Sequence, residues 1–166
     1  LIRARKKMAT VYENYTAHEV DIGFVGAVET IDVSVIEDLL DHGYVPVIAP
    51  IGVGMDGESY NINADYVAAE IAGALGAEKL LLLTDVEGVY KDYEDKSSFI
   101  STLTAAEARR YIEDGTLTGG MIPKVEACLR ALDAGAAKTH IIDGRLGHSI
   151  ILEIFTSAGI GTQVVK

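Results

Sequence analysis

Short apolar segments alternate with amphipathic helical patterns from residue 33 to the C-terminus, and this alternation limits the possible folds more than any other feature of the sequence. The clearest apolar segment, at residues 79–84, contains four consecutive leucines and predicts a strand covered on both faces, as in parallel sheets. Strands that alternate with helices form mainly parallel sheets with right-handed crossovers. We therefore predict an α/β fold, a three-layer αβα sandwich around a mainly parallel sheet.

Local signals place the other elements. Residues 1–30 are β-rich, with a predicted turn at residues 21–23. Asp32 and Asn63 are candidate helix caps, Thr104 and Glu107 form a capping box, and Pro123 fits the first position of a helix. The predicted helices are 32–42, with Val35, Ile36, Leu39 and Leu40 inside, 63–76, 104–114, one that begins at 123, and 149–155. The other predicted strands are 45–49, which we expect to be buried, 139–142 and 163–165.

Charge and cysteine content exclude several classes of protein. The formal net charge of −11 argues against an anionic nucleic-acid or membrane partner. The single cysteine, Cys128, excludes an internal disulfide and fits a reducing compartment. No apolar run approaches 18 residues and no signal peptide is visible, so we expect a cytoplasmic location.

Three polar residues crowd the mouth of the predicted helix at 63–76. Asn63 can cap this helix, and Asp65 lies in its first turn, where a negative charge suits the helix dipole. Capping needs only one polar residue, whereas this segment offers Asn61, Asn63 and Asp65. We therefore predict that the segment also has a functional role.

Lys124 is the most informative single residue. A cation in the first turn of a helix opposes the dipole, so the simpler explanation is an exposed lysine that tolerates this small cost. The functional explanation is an anion bound there, because Gly119 and Gly120 expose backbone N–H groups just before the helix. A lysine, a helix N-terminus and glycines together suit a transferring phosphoryl group.

Two further patterns are weaker. Asp85 follows the four-leucine strand, at the end where α/β sheets bind ligands, although an aspartate before residues 86–88 can simply form a turn. Residues 52–57 match the dinucleotide-binding pattern G-x-G-x-x-G, but no helix opens inside the pattern, and we interpret them as a loop. None of the four histidines has metal-ligand spacing.

Three motifs in order give the chain a resemblance to a known family. Asn61-Ile62-Asn63-Ala64-Asp65, Leu82-Leu83-Thr84-Asp85-Val86-Glu87-Gly88-Val89 and Gly119-Gly120-Met121-Ile122-Pro123-Lys124 resemble the amino-acid kinase family. The segments 148–156 and 159–162 resemble the members that phosphorylate N-acetyl-L-glutamate, and the resemblance covers essentially the whole chain. It implies transfer of a phosphoryl group from ATP, with Mg²⁺, to the side-chain carboxylate of N-acetyl-L-glutamate in arginine biosynthesis.

The resemblance also implies roles for residues. Lys124 is expected to stabilise the transferring phosphoryl group, Asp65 to orient the catalytic lysines, and Asn61 and Asn63 to hold acetylglutamate. Mg²⁺ is expected to bind through phosphates and water, without a protein site of its own. The residues expected to line the ATP pocket are Asp85, Val86, Glu87, Gly88, Val89, Tyr90, Thr116, Leu117, Thr118 and Met121.

One part of the family pattern is missing. The lysine with a glycine pair that cradles phosphate, and a second glycine pair with an arginine that holds the substrate, precede the first residue of this sequence. The sequence also begins with leucine. We therefore expect residues 1–166 to be a piece of a longer protein, inactive by itself. We expect it to form one domain, the nucleotide-binding half plus part of the substrate lobe at about residues 1–60.

Two alternatives stay open. One is another member of the family, which acts on aspartate, glutamate, carbamate or UMP. The other is an arginine-sensing regulatory module without catalysis. Arginine-inhibited members resemble this chain near its end, which makes His148, Glu153, Gly159 and Gly161 candidate effector residues. The resemblance also implies a homo-oligomer, a dimer or a hexamer.

Overall fold

The computed structural model describes residues 1–13, 15–157 and 159–166, and the chain divides into two compact units. The first unit is Leu1–Ile71 and the second is Ala72–Lys166. Each unit has its own sheet.

The first unit is built on a long β-hairpin. Strands β1 (Ile2–Glu13) and β2 (Thr16–Ile31) pair antiparallel along their length. Helix α1 (Ser34–Asp41) follows, and then a second, short hairpin of β3 (Ile51–Val53) and β4 (Ser59–Asn61). β3 pairs parallel with β1 and β4 parallel with β2, so the four strands close into a ring. Helix α2 (Ala64–Ala74) begins in this unit.

A small cluster of apolar side chains fills this ring. Ile2, Ala4, Tyr60, Ile62 and Val67 are all buried and pack together. The space is tight, since a Cβ added to Gly52 would lie 2.7 Å from the Cβ of Ala4. Alternation of buried and exposed residues at the start of β1 is the pattern of a strand with one covered face.

The predictions for two segments of the first unit are wrong. Residues 21–23 do not form the predicted turn but belong to β2, at a point where its pairing with β1 shifts in register. The carboxylate of Asp21 accepts the Gly23 N–H there at 2.8 Å. Residues 45–49 form no strand, and Val45 and Val47 are 88% and 97% exposed. An apolar segment gains its burial only from a neighbouring strand, and none of the described strands pairs with this one.

Helix α1 confirms its predicted position but not its predicted core. Of the four apolar residues expected inside, only Ile36 is buried, whereas Val35 and Leu40 are about half exposed. The Asp32 carboxylate accepts the Ser34 N–H at 3.0 Å at the helix start, and Gly43 ends the helix with a φ of 79°.

The second unit is organised around a four-stranded sheet in the order β5-β9-β10-β8. β5 pairs parallel with β9, β10 pairs parallel with β8, and β9 and β10 are antiparallel, so the sheet is mainly parallel. A two-stranded ribbon of β6 and β7 lies between β5 and β8 in the sequence. The strands are β5 (Lys79–Thr84), β6 (Val89–Tyr90), β7 (Phe99–Ile100), β8 (Thr102–Thr104), β9 (Lys138–Asp143) and β10 (Thr162–Val165).

Helices cover this sheet on both faces, as predicted for an α/β sandwich. They are α3 (Ala105–Glu113), α4 (Met121–Ala134) and α5 (Ser149–Phe155). Four consecutive residues of β9 are buried, which requires cover on both sides, and α4 and α5 both pack against this strand. β5 is the edge strand, so Leu83 is 48% exposed and the prediction that its four leucines are covered on both faces is wrong for this residue.

Capping signals located the helix starts well. The Tyr66 N–H donates to the Asn63 side chain at 3.2 Å, and the capping box of Thr104 and Glu107 is formed. α4 begins at Met121, so Pro123 is its third residue and not its first. This position is compatible with proline, because N–H groups in the first turn have no partner inside the helix. None of the helices in the described ranges is long and apolar enough to cross a membrane.

Candidate functional site

The two parallel strands β5 and β9 end side by side. Thr84 pairs with Asp143 in the ladder, and the Gly144 N–H donates to the Thr84 carbonyl at 2.8 Å. Asp85 therefore follows β5 at the carboxyl edge of the sheet, next to Asp143. This edge is where open α/β sheets bind their ligands.

A cavity of about 490 Å³ opens at this edge, within the second unit. This volume is in the range of small-molecule sites. Of the described residues that line it, two are lysines and one is an acid, which makes it locally cationic in a chain of net charge −11. The lining residues are Thr84, Asp85, Val86, Gly88, Tyr90, Lys91, Tyr93, Thr116, Leu117, Thr118, Gly120, Met121 and Lys124.

The turn after β5 is held in place by the last strand. Thr162 accepts the Val89 N–H at 2.8 Å, and its hydroxyl donates to the Ile100 carbonyl at 2.5 Å. Gly88 permits this contact, because a Cβ there would lie 2.6 Å from the Thr162 hydroxyl oxygen. The turn thus presents Asp85 and Val86 to the cavity.

Two residues predicted to line the ATP pocket do not line the cavity. Val89 is fully buried, and its backbone N–H is used to fix the turn. Glu87 accepts a hydrogen bond from the Tyr90 hydroxyl. This bond, together with burial, raises the pKa of Tyr90 to about 12. Val89 therefore fixes the turn and Glu87 holds the Tyr90 hydroxyl, and Tyr90 itself lines the cavity.

The opposite wall comes from the loop before α4. The Asp114 carboxylate accepts the Thr116 N–H at 2.9 Å, which fixes the loop, and Leu117 is buried with its N–H bonded to the Tyr111 carbonyl at 2.8 Å. Hydrogen bonds from the Thr116 side chain and, second, from its N–H lower the pKa of Asp114. Thr116 and Thr118 face the cavity from either side of Leu117.

Lys124 and the start of α4 complete this wall. Lys124 is half-buried in the first turn of the helix and lines the cavity together with Gly120 and Met121. The N–H groups in the first turn of a helix have no partner inside it and carry a partial positive charge. In α4, Pro123 has no N–H and the Ile122 N–H donates to the Gly119 carbonyl at 3.3 Å, so Met121 and Lys124 supply the remaining N–H groups of this turn. An ammonium group beside them makes this part of the cavity suited to phosphate.

The Asn61 to Asp65 segment belongs to the first unit, whereas the cavity is lined wholly by the second. Asn61 is the last residue of β4 and is exposed. Asn63 uses its side-chain oxygen to cap α2, which gives it a structural role. Asp65 lies in the first turn of α2, as predicted. Their expected roles toward acetylglutamate and the catalytic lysines stay predictions.

A second, polar pocket of about 260 Å³ surrounds Glu153. Glu153 and His140 are both buried, and Nδ1 of His140 lies 2.6 Å from Oε1 of Glu153. The other carboxylate oxygen accepts the Ile160 and Gly161 N–H groups at 2.6 and 3.0 Å. Gly159 and Gly161 line the pocket, as the effector prediction requires, but His148 is not among its described lining residues.

The pKa of Glu153 reflects competing causes. Burial by itself raises this pKa, but the hydrogen bonds from Ile160, His140 and Gly161 outweigh burial and lower it below its ordinary value. The carboxylate is therefore charged at neutral pH. Nε2 of His140 is buried and has no hydrogen-bond partner among the described residues.

Sequence reasoning missed Thr84, Lys91, Tyr93 and His140, which line the two pockets. Thr84 could have been inferred as the last residue of β5. Tyr93 and His140 carried no motif, because a loop aromatic and a strand histidine are ordinary by themselves. Residues 52–57, which match the dinucleotide-binding pattern, lie in the hairpin of β3 and β4. No helix begins within the pattern, as dinucleotide binding would require. In the described ranges, no group of three or more His, Cys, Asp or Glu side chains could hold a metal.

Comparisons with known proteins show the family of the chain. Residues 4–143 match the Amino acid kinase family. The chain is 54% identical over 165 residues to acetylglutamate kinase of Moorella thermoacetica, with 99% of the chain and 56% of that protein covered. It is 56% identical over 166 residues to acetylglutamate kinase of Symbiobacterium thermophilum, again covering 56% of that protein. The chain thus spans little more than half the length of these curated relatives.

Solved structures show the same fold. N-acetylglutamate synthase from Neisseria gonorrhoeae, complexed with coenzyme A and L-arginine, superposes with a TM-score of 0.81 at 26% identity, over 99% of this chain and 36% of that one. Carbamate kinase from Giardia lamblia bound to AMP-PNP superposes with a TM-score of 0.64 at 19% identity, over 96% of this chain and 52% of that one. The family match, residues 4–143, includes all the described residues that line the 490 Å³ cavity. The chain belongs to the amino acid kinase family.

Proposed function

We propose that this chain is part of an enzyme that transfers the γ-phosphoryl group of ATP to the side-chain carboxylate of N-acetyl-L-glutamate. The observation that carries the proposal is the cationic cavity at the carboxyl edge of the sheet, which combines Lys124, a helix N-terminus and the turn at residues 85–90. The identity of 54–56% to acetylglutamate kinases supports the choice of acceptor.

The reaction is an in-line displacement. A carboxylate oxygen of acetylglutamate attacks the γ-phosphorus, the bond to the β,γ-bridging oxygen breaks, and ADP leaves with the electron pair. The products are an acyl phosphate and ADP. Negative charge builds up on the transferring group and on the leaving oxygen, so positioned cations and N–H groups accelerate this step.

Each predicted residue has a task in this scheme. Lys124 and the first N–H groups of α4 stabilise charge on the transferring phosphoryl group. Asp85 and residues 116–118 position the nucleotide. Asn61 and Asn63 bind acetylglutamate, and Asp65 orients the catalytic lysines through its charge. Mg²⁺ supplies charge neutralisation when it is bound through the phosphates and water.

An acceptor panel tests the proposal. The intact protein is supplied with Mg-ATP and, in turn, N-acetyl-L-glutamate, aspartate, glutamate, carbamate and UMP, and ADP release is measured by a coupled assay. We expect ADP release only with N-acetyl-L-glutamate, together with a hydroxamate when hydroxylamine traps the acyl phosphate. Preference for any other acceptor overturns the assignment of the substrate.

A regulatory role for the pocket around Glu153 is a second proposal. The buried, charged carboxylate and the two glycines supply the chemistry that a guanidinium group needs. The structurally similar synthase from Neisseria gonorrhoeae was obtained with L-arginine. We expect arginine to inhibit the intact protein, and a rate unchanged by saturating arginine contradicts this role.

Two coarser properties accompany the proposal. We expect a homo-oligomer, a dimer or a hexamer, which light scattering of the purified protein measures directly. A cytoplasmic location is expected for an enzyme that uses ATP and an amino-acid derivative, and fractionation of the source cells tests it.

A further inference from the structure

The loop at residues 91–98, between β6 and β7, is held together by its own polar groups. Asp95 caps a 3-10 turn (Lys96–Ser98) and accepts the Ser97 N–H at 2.9 Å. The Ser98 hydroxyl lies 2.7 Å from the carbonyl oxygens of both Asp92 and Asp95. The Asp92 carboxylate accepts the Glu94 N–H at 3.0 Å. The position of Tyr93 within this loop is therefore fixed by the backbone on either side.

Aromatic contacts fix the Tyr93 side chain as well. Its ring meets the ring of Tyr90 edge to face, with centroids 5.7 Å apart, and Tyr90 meets Phe99 at 5.2 Å. The Lys96 ammonium lies 3.9 Å from the centroid of the Tyr93 ring and 4.6 Å from that of Tyr90. A cation–π contact of this kind stabilises the position of an exposed ring by about 0.5–1 kcal/mol.

Tyr93 nevertheless remains 57% exposed, and it lines the 490 Å³ cavity, whereas Lys96 does not. Here the ring has a cation on one side and presents another part of its surface to the cavity. A cation over one face withdraws electron density, so the remaining surface favours a flat, neutral aromatic group over a second cation.

The apolar side chains of Val86, Leu117 and Met121 also line the cavity and can contact a base, but they offer no flat ring for it to stack on. Lys91, Lys124 and the N–H groups near Gly120 suit phosphates. Asp85 and the threonines suit hydroxyl groups. A base needs a flat apolar surface, and the aromatic side chains that line the cavity are Tyr90, which is buried, and Tyr93.

We propose that Tyr93, held in place by Lys96, is the residue on which the base of the bound nucleotide stacks, and that the loop at residues 91–98 thereby sets the base preference of the site. The inference rests on the proposed function, since it assumes that the cavity binds a nucleotide. It adds a specificity-determining residue and a positioning residue that the sequence motifs do not contain.

The first test separates base binding from phosphate binding in the intact protein. Dissociation constants are measured by calorimetry for ADP, UDP and tripolyphosphate, which has no base. We expect Tyr93→Ala to weaken ADP binding about tenfold, in line with the loss of one stacked base, to leave tripolyphosphate unchanged, and to reduce the preference for ADP over UDP. Tyr93→Phe keeps the ring and should retain binding.

Three control variants sharpen this result. Tyr12→Ala removes an exposed tyrosine of β1 that does not line the cavity, and it should change none of the three constants. Lys91→Met should weaken the binding of ADP and of tripolyphosphate by the same factor, because it removes a side chain that contacts phosphate. Lys96→Met should weaken the binding of ADP alone, by about two- to fivefold, because Lys96 holds the Tyr93 ring but does not line the cavity.

A covalent probe tests direct contact. Irradiation with 8-azido-ADP should label the tryptic peptide of residues 92–96, which lies between Lys91 and Lys96, and excess ADP should prevent the labelling. Tyr93→Ala should lose the label while it still binds tripolyphosphate. If the wild type binds ADP but Tyr93→Ala keeps full affinity and the label lies elsewhere, the stacking role is wrong and the nucleotide site stands. If the wild type binds neither ADP nor tripolyphosphate, both proposals fail.

Discussion

The two units of the chain differ most in what they do with apolar side chains. The largest fully buried side chains, among them Leu103, Leu132, Ile141 and Ile142, all belong to the second unit within the described residues. The first unit has a small core and leaves many of its large apolar residues exposed, such as Phe24, Tyr12, Val45 and Val47. Similar apolar residue types are therefore buried in the second unit and exposed in the first.

Strand partners explain this difference. In the second unit, β9 has a strand on each side and helices over both faces, so every residue from Thr139 to Ile142 is buried. In the first unit, residues 45–49 have the composition of such a strand but pair with none of the described strands. Apolar composition predicts a tendency to pair, and burial follows only where a partner is supplied.

The largest expected effect tests whether the phosphoryl chemistry belongs to the second unit. Lys124→Ala in the intact protein should lower kcat about 10²–10³-fold, or roughly 3–4 kcal/mol of transition-state stabilisation. The KM for acetylglutamate should change much less, because the contact strengthens as charge moves. Steady-state kinetics with both substrates varied measures this change.

Two further variants complete the Lys124 experiment. Lys138→Ala removes an exposed lysine at the amino end of β9, and it should leave kcat unchanged. Asp65→Asn alters the first unit and should lower kcat, less than additively with Lys124→Ala if both act together. A Lys124→Ala enzyme with nearly normal kcat would falsify the catalytic role of this lysine.

The next effect concerns the buried Glu153. Glu153→Gln should lower the free energy of unfolding by about 1.5–3 kcal/mol, the usual value of hydrogen bonds to a charged group. Because folding lowers the pKa of Glu153, its contribution is present above the ordinary value of 4.5 and is lost as the pH falls through the folded-state pKa. Urea unfolding of wild type and Glu153→Gln at pH 7, 5 and 4 measures this. The difference in their free energies of unfolding should be similar at pH 7 and 5 and smaller at pH 4.

Glu113→Gln is the matched control for Glu153. This glutamate is exposed at the end of α3, and its replacement should change the free energy of unfolding by no more than about 0.5 kcal/mol at any of these pH values. A difference between wild type and Glu153→Gln that grows at low pH would contradict the direction of the pKa shift.

A single methylene measures how tightly each unit packs. Ile142→Val in β9 should lower the free energy of unfolding by about 0.5–1.5 kcal/mol, since the residue is fully buried. Ile51→Val in β3 should cost less than about 0.5 kcal/mol, because this residue is 54% exposed. Equal losses in the two variants, measured by urea unfolding, would remove the contrast between the units.

The smallest effect is expected in the unpaired segment. Val47→Thr replaces an almost fully exposed side chain by a polar one of the same shape and should change the free energy of unfolding by less than about 0.5 kcal/mol. A loss above about 1 kcal/mol in the intact protein would mean that residues 45–49 are buried there. The comparison would then hold for the isolated 166 residues only.

Sequence patterns predicted the fold best where the signal is local. Helix α5 was predicted at residues 149–155 and is observed at Ser149–Phe155, and Asn63 and Thr104 cap the helices expected of them. Caps depend on side chains within three residues of each other, so the sequence contains the whole interaction. The continuation of β2 through residues 21–23 and the exposure of residues 45–49 depend on strand pairing, which the local sequence does not contain.

The same reasoning applies to the candidate site. Asp85, Gly88, residues 116–118 and Lys124 belong to contiguous motifs, and the structure brings most of them to one cavity. Tyr93 reaches that cavity only because the loop at residues 91–98 folds back on itself. His140 meets Glu153 across 13 residues. Neither residue belongs to a motif, because each gains its role from a neighbour distant in sequence.

The hydrogen bond from the Val89 N–H to Thr162 has a consequence for the order of folding during synthesis. The two residues are 73 positions apart, and only four residues follow the acceptor in this sequence. Chains fold from the N-terminus as they leave the ribosome. The turn that carries Asp85 therefore cannot reach its final form until Thr162 has emerged, and the wall of the cavity stays unfixed until then, however much of the sheet has formed.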